Sequence, residues 1–184
     1  MNDRTGARRL PGDPSPQEMI ERIIRVDQAG EYGAKRIYEG QLAVLGRGNH
    51  GPEIRHMAEH EQKHLDAFNR LMVEHRARPT VLSPLWHVAG FALGAGTALM
   101  GPRAAMACTV AVEEAIIEHY AKQADCLGPD QAELKTTVEN ARADELAHKE
   151  AALAAGAQRA AGYDVLSFAI KRGTKLAIWL SERF

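Results

Sequence analysis

Apolar residues recur every three to four positions along most of this chain, and strand-like alternation is weak. The first periodic stretch opens on Ser15-Pro16-Gln17-Glu18, a capping box with proline at the first helical position. It predicts a helix to about Leu45, ended by Gly46 and Gly48. Its inward seam reads Ile24, Glu31, Tyr38 and Leu45, with Asp27 and Ala34 beside it. The short loop from Gly46 to Gly51 predicts an antiparallel return. The second helix starts at Pro52, ends before Pro79, and turns Ile54, Met57, Glu61, His64, Phe68 and Leu71 inward. A third helix is expected over roughly Arg103 to Leu127, with Met106, Val110, Glu113, Ile117 and Tyr120 on one stripe. Gly128-Pro129 breaks it. The fourth runs from about Pro129 to Ala157, with Leu134, Val138, Ala141, Glu145, His148 and Ala152 inward.

Two further segments depart from this pattern. Pro79 to Pro102 holds no Asp, Glu, Lys or Arg, and its run from Val81 to Gly101 is long enough to span a bilayer. A single crossing there would put the first two helices and the next two on opposite sides of the membrane. A long crossover along the bundle is therefore expected instead. It carries Leu82, Leu85, Trp86, Val88, Phe91, Leu93, Leu99 and Met100. The last segment, Tyr163 to Phe184, is amphipathic, with Val165, Leu166, Phe168, Ile170, Leu176, Ile178 and Trp179 against Lys171, Arg172, Lys175 and Arg183. Together the two suggest a surface lying in the membrane interface.

The inward seams contain acids, which changes the picture. Glu31 is followed by Glu61-x-x-His64, and Glu113 by Glu145-x-x-His148. Burying four unpartnered carboxylates would cost far more than the roughly 5–15 kcal/mol by which a domain is stable. No Lys or Arg shares those seams near them. Two ferrous ions would bring four positive charges against four carboxylates, and oxygen-rich, imidazole-poor ligation suits iron or manganese. A Glu-x-x-His pair on each of two helices, with one Glu on each of the others, is the ferritin-like di-metal arrangement. Glu113 is preferred to Glu114 because it lies one heptad from both Met106 and Tyr120. Asp27 and Asp144 are candidates to hydrogen-bond a ligand imidazole.

Two look-alike motifs are set aside. Glu53-x-x-His56 has the spacing, but Glu53 sits in a first helical turn, where a carboxylate suits the helix dipole. His60-Glu61-Gln62-Lys63-His64 matches the zinc-protease signature H-E-x-x-H. The metzincin continuation would need glycine at 67 and histidine at 70, where Ala67 and Arg70 stand, and the second copy, Asp144-Glu145-Leu146-Ala147-His148, repeats only Glu-x-x-His.

Composition adds bounds. The 184 residues fit one domain. A net charge of −1 gives no reason to expect nucleic-acid binding. Cys108 and Cys126 form no C-x-x-C, so both are expected as small buried residues in a reducing compartment. Residues 1–15 lack an apolar core and are expected as a flexible tail, not a secretory signal.

Longer strings carry a resemblance. Val26-Asp27-Gln28-Ala29-Gly30-Glu31-Tyr32-Gly33-Ala34, Arg78-Pro79-Thr80-Val81-Leu82, the run from Gly90 to Ala98, the run from Ala105 to Glu114, and Leu180-Ser181-Glu182-Arg183 resemble the demethoxyubiquinone hydroxylase family. The resemblance covers about residue 18 to the end. It implies iron ligation by Glu31, Glu61, His64, Glu113, Glu145 and His148, with Glu61 and Glu145 bridging two irons. It also implies a role near the site for His119 and Tyr120 in electron or proton transfer. The implied activity is O2-dependent hydroxylation of the demethoxyubiquinol ring, with a prenylated quinol and O2 as substrates. The sequence leaves the reductant open, so reduction through the quinone, by external NADH or by a separate reductase all remain possible routes.

The expected fold is all-α. It is a ferritin-like four-helix bundle over residues 16–184, with an apolar crossover at 79–102 and a C-terminal amphipathic helix at 163–184. Expected partners are a membrane surface and other ubiquinone-biosynthesis proteins, and no nucleic acid. The expected location is peripheral, on the inner membrane of a bacterium or the matrix face in a mitochondrion. The alternatives are iron oxidation or peroxide removal of the ferritin or rubrerythrin kind, and a non-enzymatic helical scaffold at a membrane interface.

Overall fold

The computed structural model describes Gly12 and residues 14–184, so the tail expected at 1–15 lies almost wholly outside the described residues. Six α-helices follow one another: α1 (Pro16–Leu45), α2 (Gly51–Glu74), α3 (Ser83–Leu99), α4 (Pro102–Cys126), α5 (Ala132–Ala154) and α6 (Tyr163–Ser181). No strand occurs among the described residues. Helices α1, α2, α4 and α5 form the bundle. α3 is the crossover, and α6 is the C-terminal addition.

Each boundary has a local cause. The Ser15 hydroxyl accepts from the Glu18 N–H at 3.0 Å, and the Glu18 carboxylate accepts from the Ser15 N–H at 2.6 Å. α2 stops at Glu74, short of Pro79, because Arg76 turns the chain in the left-handed region at φ 54°. Pro129–Gln131 forms a single 3-10 turn that delays α5 to Ala132.

The inward seams are buried largely as expected. Ile24, Tyr38, Ile54, Met57, Phe68, Leu71, Met106, Val110, Leu134 and Val138 form the core, while Leu45, His64 and Ile117 are half-buried. Cys108 is buried, and burial pushes its thiol up to about 12. Cys126 differs from expectation. It occupies the last position of α4 and is exposed.

The crossover lies against α1. Its glycines make the close approach possible, because a Cβ at Gly94 would stand 1.9 Å from the Ile37 carbonyl oxygen, and one at Gly40 2.2 Å from that of Phe91. This contact turns Leu93 inward, away from the exposed face expected of it. Leu85, Val88, Leu99 and Met100 remain exposed, as do Val165, Phe168, Leu176 and Trp179 of α6. The Trp86 indole N–H donates to Ser181 Oγ at 3.0 Å and ties the two helices together. On α6, Lys171 and Lys175 are not free basic groups. They pair with Glu114 and Glu118 of α4 at 2.6–3.0 Å. No described helix is long and apolar enough to cross a membrane.

Between α1, α3, α4 and α6 lies an apolar cavity of about 220 Å³, lined among others by Gly30, Ile37, Trp86, Leu93, Val112 and Ile116. Gly30 and Val112 are the chain neighbours of Glu31 and Glu113, although neither acid lines the cavity itself.

Candidate metal centre

All six seam residues converge. Glu31, Glu61, His64 and Glu145 offer ligand atoms within 4.8 Å of one another, and so do Glu61, Glu113, Glu145 and His148. Glu61 and Glu145 belong to both groups. The i, i+3 spacing sets each Glu and His of a pair on one helix face. Burial is nearly complete for Glu31, Glu61, Glu113, Glu145 and His148. Glu53 and His56, excluded by position, stay out of the cluster. Glu114 faces α6 instead, leaving Glu113 to the site.

Both histidines turn Nδ1 inward. His64 Nδ1 lies 3.4 Å from Glu31 and 3.3 Å from Glu145. His148 Nδ1 lies 2.9 Å from Glu145 and 3.2 Å from Glu61. Their Nε2 atoms point outward, His64 to Asp144 Oδ2 at 2.9 Å and His148 to His60 Nδ1 at 3.3 Å. Asp144 thus meets a ligand-type imidazole. Asp27 does not. Its Oδ1 accepts from Gln123 Nε2 at 2.7 Å and lies 3.3 Å from His119 Nε2.

Two tyrosines complete the arrangement with a symmetry the seams did not reveal. Tyr38 follows Glu31 by seven residues on α1 and donates to Glu113 Oε1 at 2.6 Å. Tyr120 follows Glu113 by seven residues on α4 and donates to Glu31. Each tyrosine therefore serves the lone carboxylate of the opposite helix. The signal was present as a repeated Glu-x6-Tyr, but heptad spacing alone reads as core packing. His119, one residue before Tyr120, is not among the six clustered residues; it meets Asp27 and Gln123 instead.

The electrostatics are those of crowded acids. Burial, then the charges of Glu145, Glu31 and Glu113, hold Glu61 well above the ordinary carboxylate range. Glu113 is raised by burial and by Glu145. Burial opposes the charge on Glu145, yet the hydrogen bond with His148 and the neighbouring His64 draw it down to about 2. Burial likewise opposes the charge on His64, but Glu145 and Glu31 lift it to about 11. Burial and the neighbouring acids push both Tyr38 and Tyr120 up, which keeps them protonated donors.

The donor set fits a pair of metal ions. Glu31 Oε2, both oxygens of Glu61, His64 Nδ1, Glu113 Oε2 and Glu145 Oε1 are buried without a hydrogen-bond partner, although His64 Nδ1 stands at ion-pair distance from Glu31 Oε2 and Glu145 Oε1, and Glu61 Oε1 from His148 Nδ1. Buried polar atoms are normally satisfied. Six such buried ligand-type atoms gathered in one small volume are what a dinuclear metal centre would use.

The model of the family described as "Ubiquinone biosynthesis protein COQ7" matches residues 18–181. The chain is 59% identical over 181 residues to "3-demethoxyubiquinol 3-hydroxylase" of Rhodospirillum rubrum, covering 98% of this chain and 85% of that one. It is 54% identical over 169 residues to the mitochondrial "NADPH-dependent 3-demethoxyubiquinone 3-hydroxylase" of Rattus norvegicus, covering 90% and 78%. Against the mitochondrial "5-demethoxyubiquinone hydroxylase" of Saccharomyces cerevisiae the identity is 42% over 181 residues, covering 89% and 78%.

Proposed function

The chain belongs to the ubiquinone biosynthesis protein COQ7 family, and from that membership we propose that it hydroxylates the demethoxyubiquinol ring with O2 at a carboxylate-bridged di-iron centre. The single observation that carries the chemistry is the set of orphaned inward atoms on Glu31, Glu61, His64, Glu113 and Glu145. Glu31 and His64 would hold one iron, Glu113 and His148 the other, and Glu61 and Glu145 both. Bound iron would supply the reduction of O2 and the transfer of one oxygen atom to the aromatic ring.

The protein's own groups do the rest. Tyr38 and Tyr120 donate to the terminal carboxylates Glu113 and Glu31, holding each in one orientation. Asp144 accepts from His64 Nε2 and thereby keeps the lone pair at Nδ1, facing the site. Buried walls exclude water from the reaction. The cavity lined by Gly30, Ile37, Trp86, Leu93, Val112 and Ile116 is apolar enough for a prenylated ring, and Gly30 and Val112 are the chain neighbours of Glu31 and Glu113. The exposed apolar residues of α3 and α6 fit a peripheral membrane surface, from which such a quinol would enter sideways. The reductant is proposed to be an external pyridine nucleotide, since rat and other mitochondrial relatives carry "NADPH-dependent" in their names.

Product analysis tests this reading. Anaerobically reconstituted ferrous protein, a short-chain demethoxyquinol and O2 should yield the hydroxylated ring, and Glu31→Ala or His148→Ala should abolish it. Loaded protein that consumes peroxide but leaves the ring intact would sink the proposal in favour of rubrerythrin-like chemistry. For the membrane surface, vesicle flotation should be lost with Phe168→Asp plus Trp179→Asp. Persistence of flotation in that variant rules the surface out.

A further inference from the structure

The two halves of the site match almost residue for residue. Each contributes a lone Glu, a tyrosine seven residues later, and a Glu-x-x-His pair. The match extends one residue further out. Asp144 immediately precedes Glu145, and its Oδ2 faces the Nε2 of His64 in the other half at 2.9 Å. His60 immediately precedes Glu61, and its Nδ1 faces the Nε2 of His148 in the other half at 3.3 Å. The same position in each half thus meets the opposite histidine, but with unlike chemistry. One partner is a carboxylate, and the other is an imidazole.

We propose that His60 is the positioning residue of His148, and that its difference from Asp144 makes the two metal positions unequal, the one at His148 releasing its ion first. The inference rests on the di-metal reading above. A histidine that binds metal through Nδ1 must carry its proton on Nε2, and that proton needs an acceptor. For His148 the atom facing it is His60 Nδ1. The His60 ring is held in turn by His56, four residues earlier on α2, whose ring centroid lies 4.3 Å away. A carboxylate acceptor makes the ligand imidazole a stronger donor than a neutral ring does. The longer contact at His60 acts in the same direction.

The test follows metal release rather than turnover. Protein loaded with two cobalt(II) ions per chain is titrated with a chelator, and loss is read from the cobalt absorption bands. The wild type should release in two phases, one equivalent leaving about 10–100-fold more readily than the other. His60→Leu should advance the early phase further, His60→Gln should largely restore it, and His60→Asp should delay it until the phases merge. Asp144→Asn should merge them from the other side by advancing the late phase. The metal-free variants should share the wild-type unfolding midpoint, since His60 is only half-buried. Two bound ions whose release is indifferent to His60→Leu and His60→Asp would overturn the inference alone. A wild type that binds no cobalt, ferrous or manganous ion would overturn the di-metal reading and this inference with it.

Discussion

The tyrosine-to-carboxylate bonds are the smallest features with a measurable consequence. A hydrogen bond to a charged group contributes about 1.5–3 kcal/mol. Tyr38→Phe removes the donor to Glu113, and Tyr120→Phe the donor to Glu31. Each should weaken metal binding roughly 10- to 100-fold at the affected position. A cobalt(II) titration showing unchanged affinity in both variants would refute that. Protons compete for the same atoms. In the metal-free protein His64 is raised from the ordinary 6.5 to about 11, so its contribution to stability is full below about pH 6.5 and declines as pH rises towards 11. Raised Glu61 and Glu113 act in the same sense, because their protonated forms are favoured in the folded state and are lost as pH rises. Glu145, drawn down to about 2, has the opposite sign, but its window lies below 4.5. Metal needs those carboxylates ionised and His64 Nδ1 free. The rise in unfolding midpoint on adding metal should therefore grow between about pH 6.5 and pH 8. A constant or shrinking rise, measured by calorimetry, would contradict it.

Among the elements, α3 depends most on what its residues lack. A Cβ at Gly94 would sit 1.9 Å from a backbone oxygen of α1, whereas one at Gly96 would meet nothing within 4 Å. Gly94→Val must push α3 off α1 and should cost about 1–3 kcal/mol or more. Gly96→Ala should be neutral or stabilising, by up to about 1 kcal/mol. Urea unfolding compares the two directly, and equal effects would mean that the α1–α3 approach is not tight. The Gly94 variant should also lose quinol turnover before it loses metal, because the cavity has α3 as a wall and the metal ligands do not. The α6 helix is held differently. Lys171 and Lys175 draw Glu118 down to about 2 through hydrogen bonds. That clasp is present above about pH 4.5 and is lost as pH falls towards 2, and its partial exposure makes it sensitive to salt. Hydrogen exchange in α6 should rise with Glu118→Gln and with added salt, while α1, α2, α4 and α5 keep their protection.

For the whole molecule, the bundle was readable because two rules act on the same residues. A 3.6-residue period put Glu31, Glu61, Glu113 and Glu145 on seams with Ile24, Phe68, Met106 and Val138, and the cost of burying acid made metal the simplest resolution. The outer shell was less readable. Periodicity tells which face a residue is on, but not what it meets across the bundle. By periodicity alone Tyr38 and Tyr120 therefore read as packing and His60 as part of a zinc motif, and only the family resemblance set Tyr120 near the site; their partners Glu113, Glu31 and His148 come into view in the fold. Leu93 and Lys171 misled for the same reason, since both are turned inward by a neighbouring helix that a single-helix pattern does not contain. Metal removal tests the molecule as a unit. Chelation should lower the unfolding midpoint and speed exchange in α1, α2, α4 and α5 together, because each of the four contributes a carboxylate to the centre.

The crossed pattern of donors has a consequence for synthesis. Glu145 belongs to both ligand groups, and it lies on α5, past three-quarters of the chain. A nascent polypeptide that has folded α1 and α2 into a hairpin owns Glu31, Glu61 and His64, yet neither four-residue group is complete. Ferrous ion, which makes damaging radicals wherever it is loosely held, thus finds no finished pocket until the ribosome has passed Glu145, and no second one until it has passed His148. The order of residues along the chain sets the order of events, with shelter first and iron afterwards.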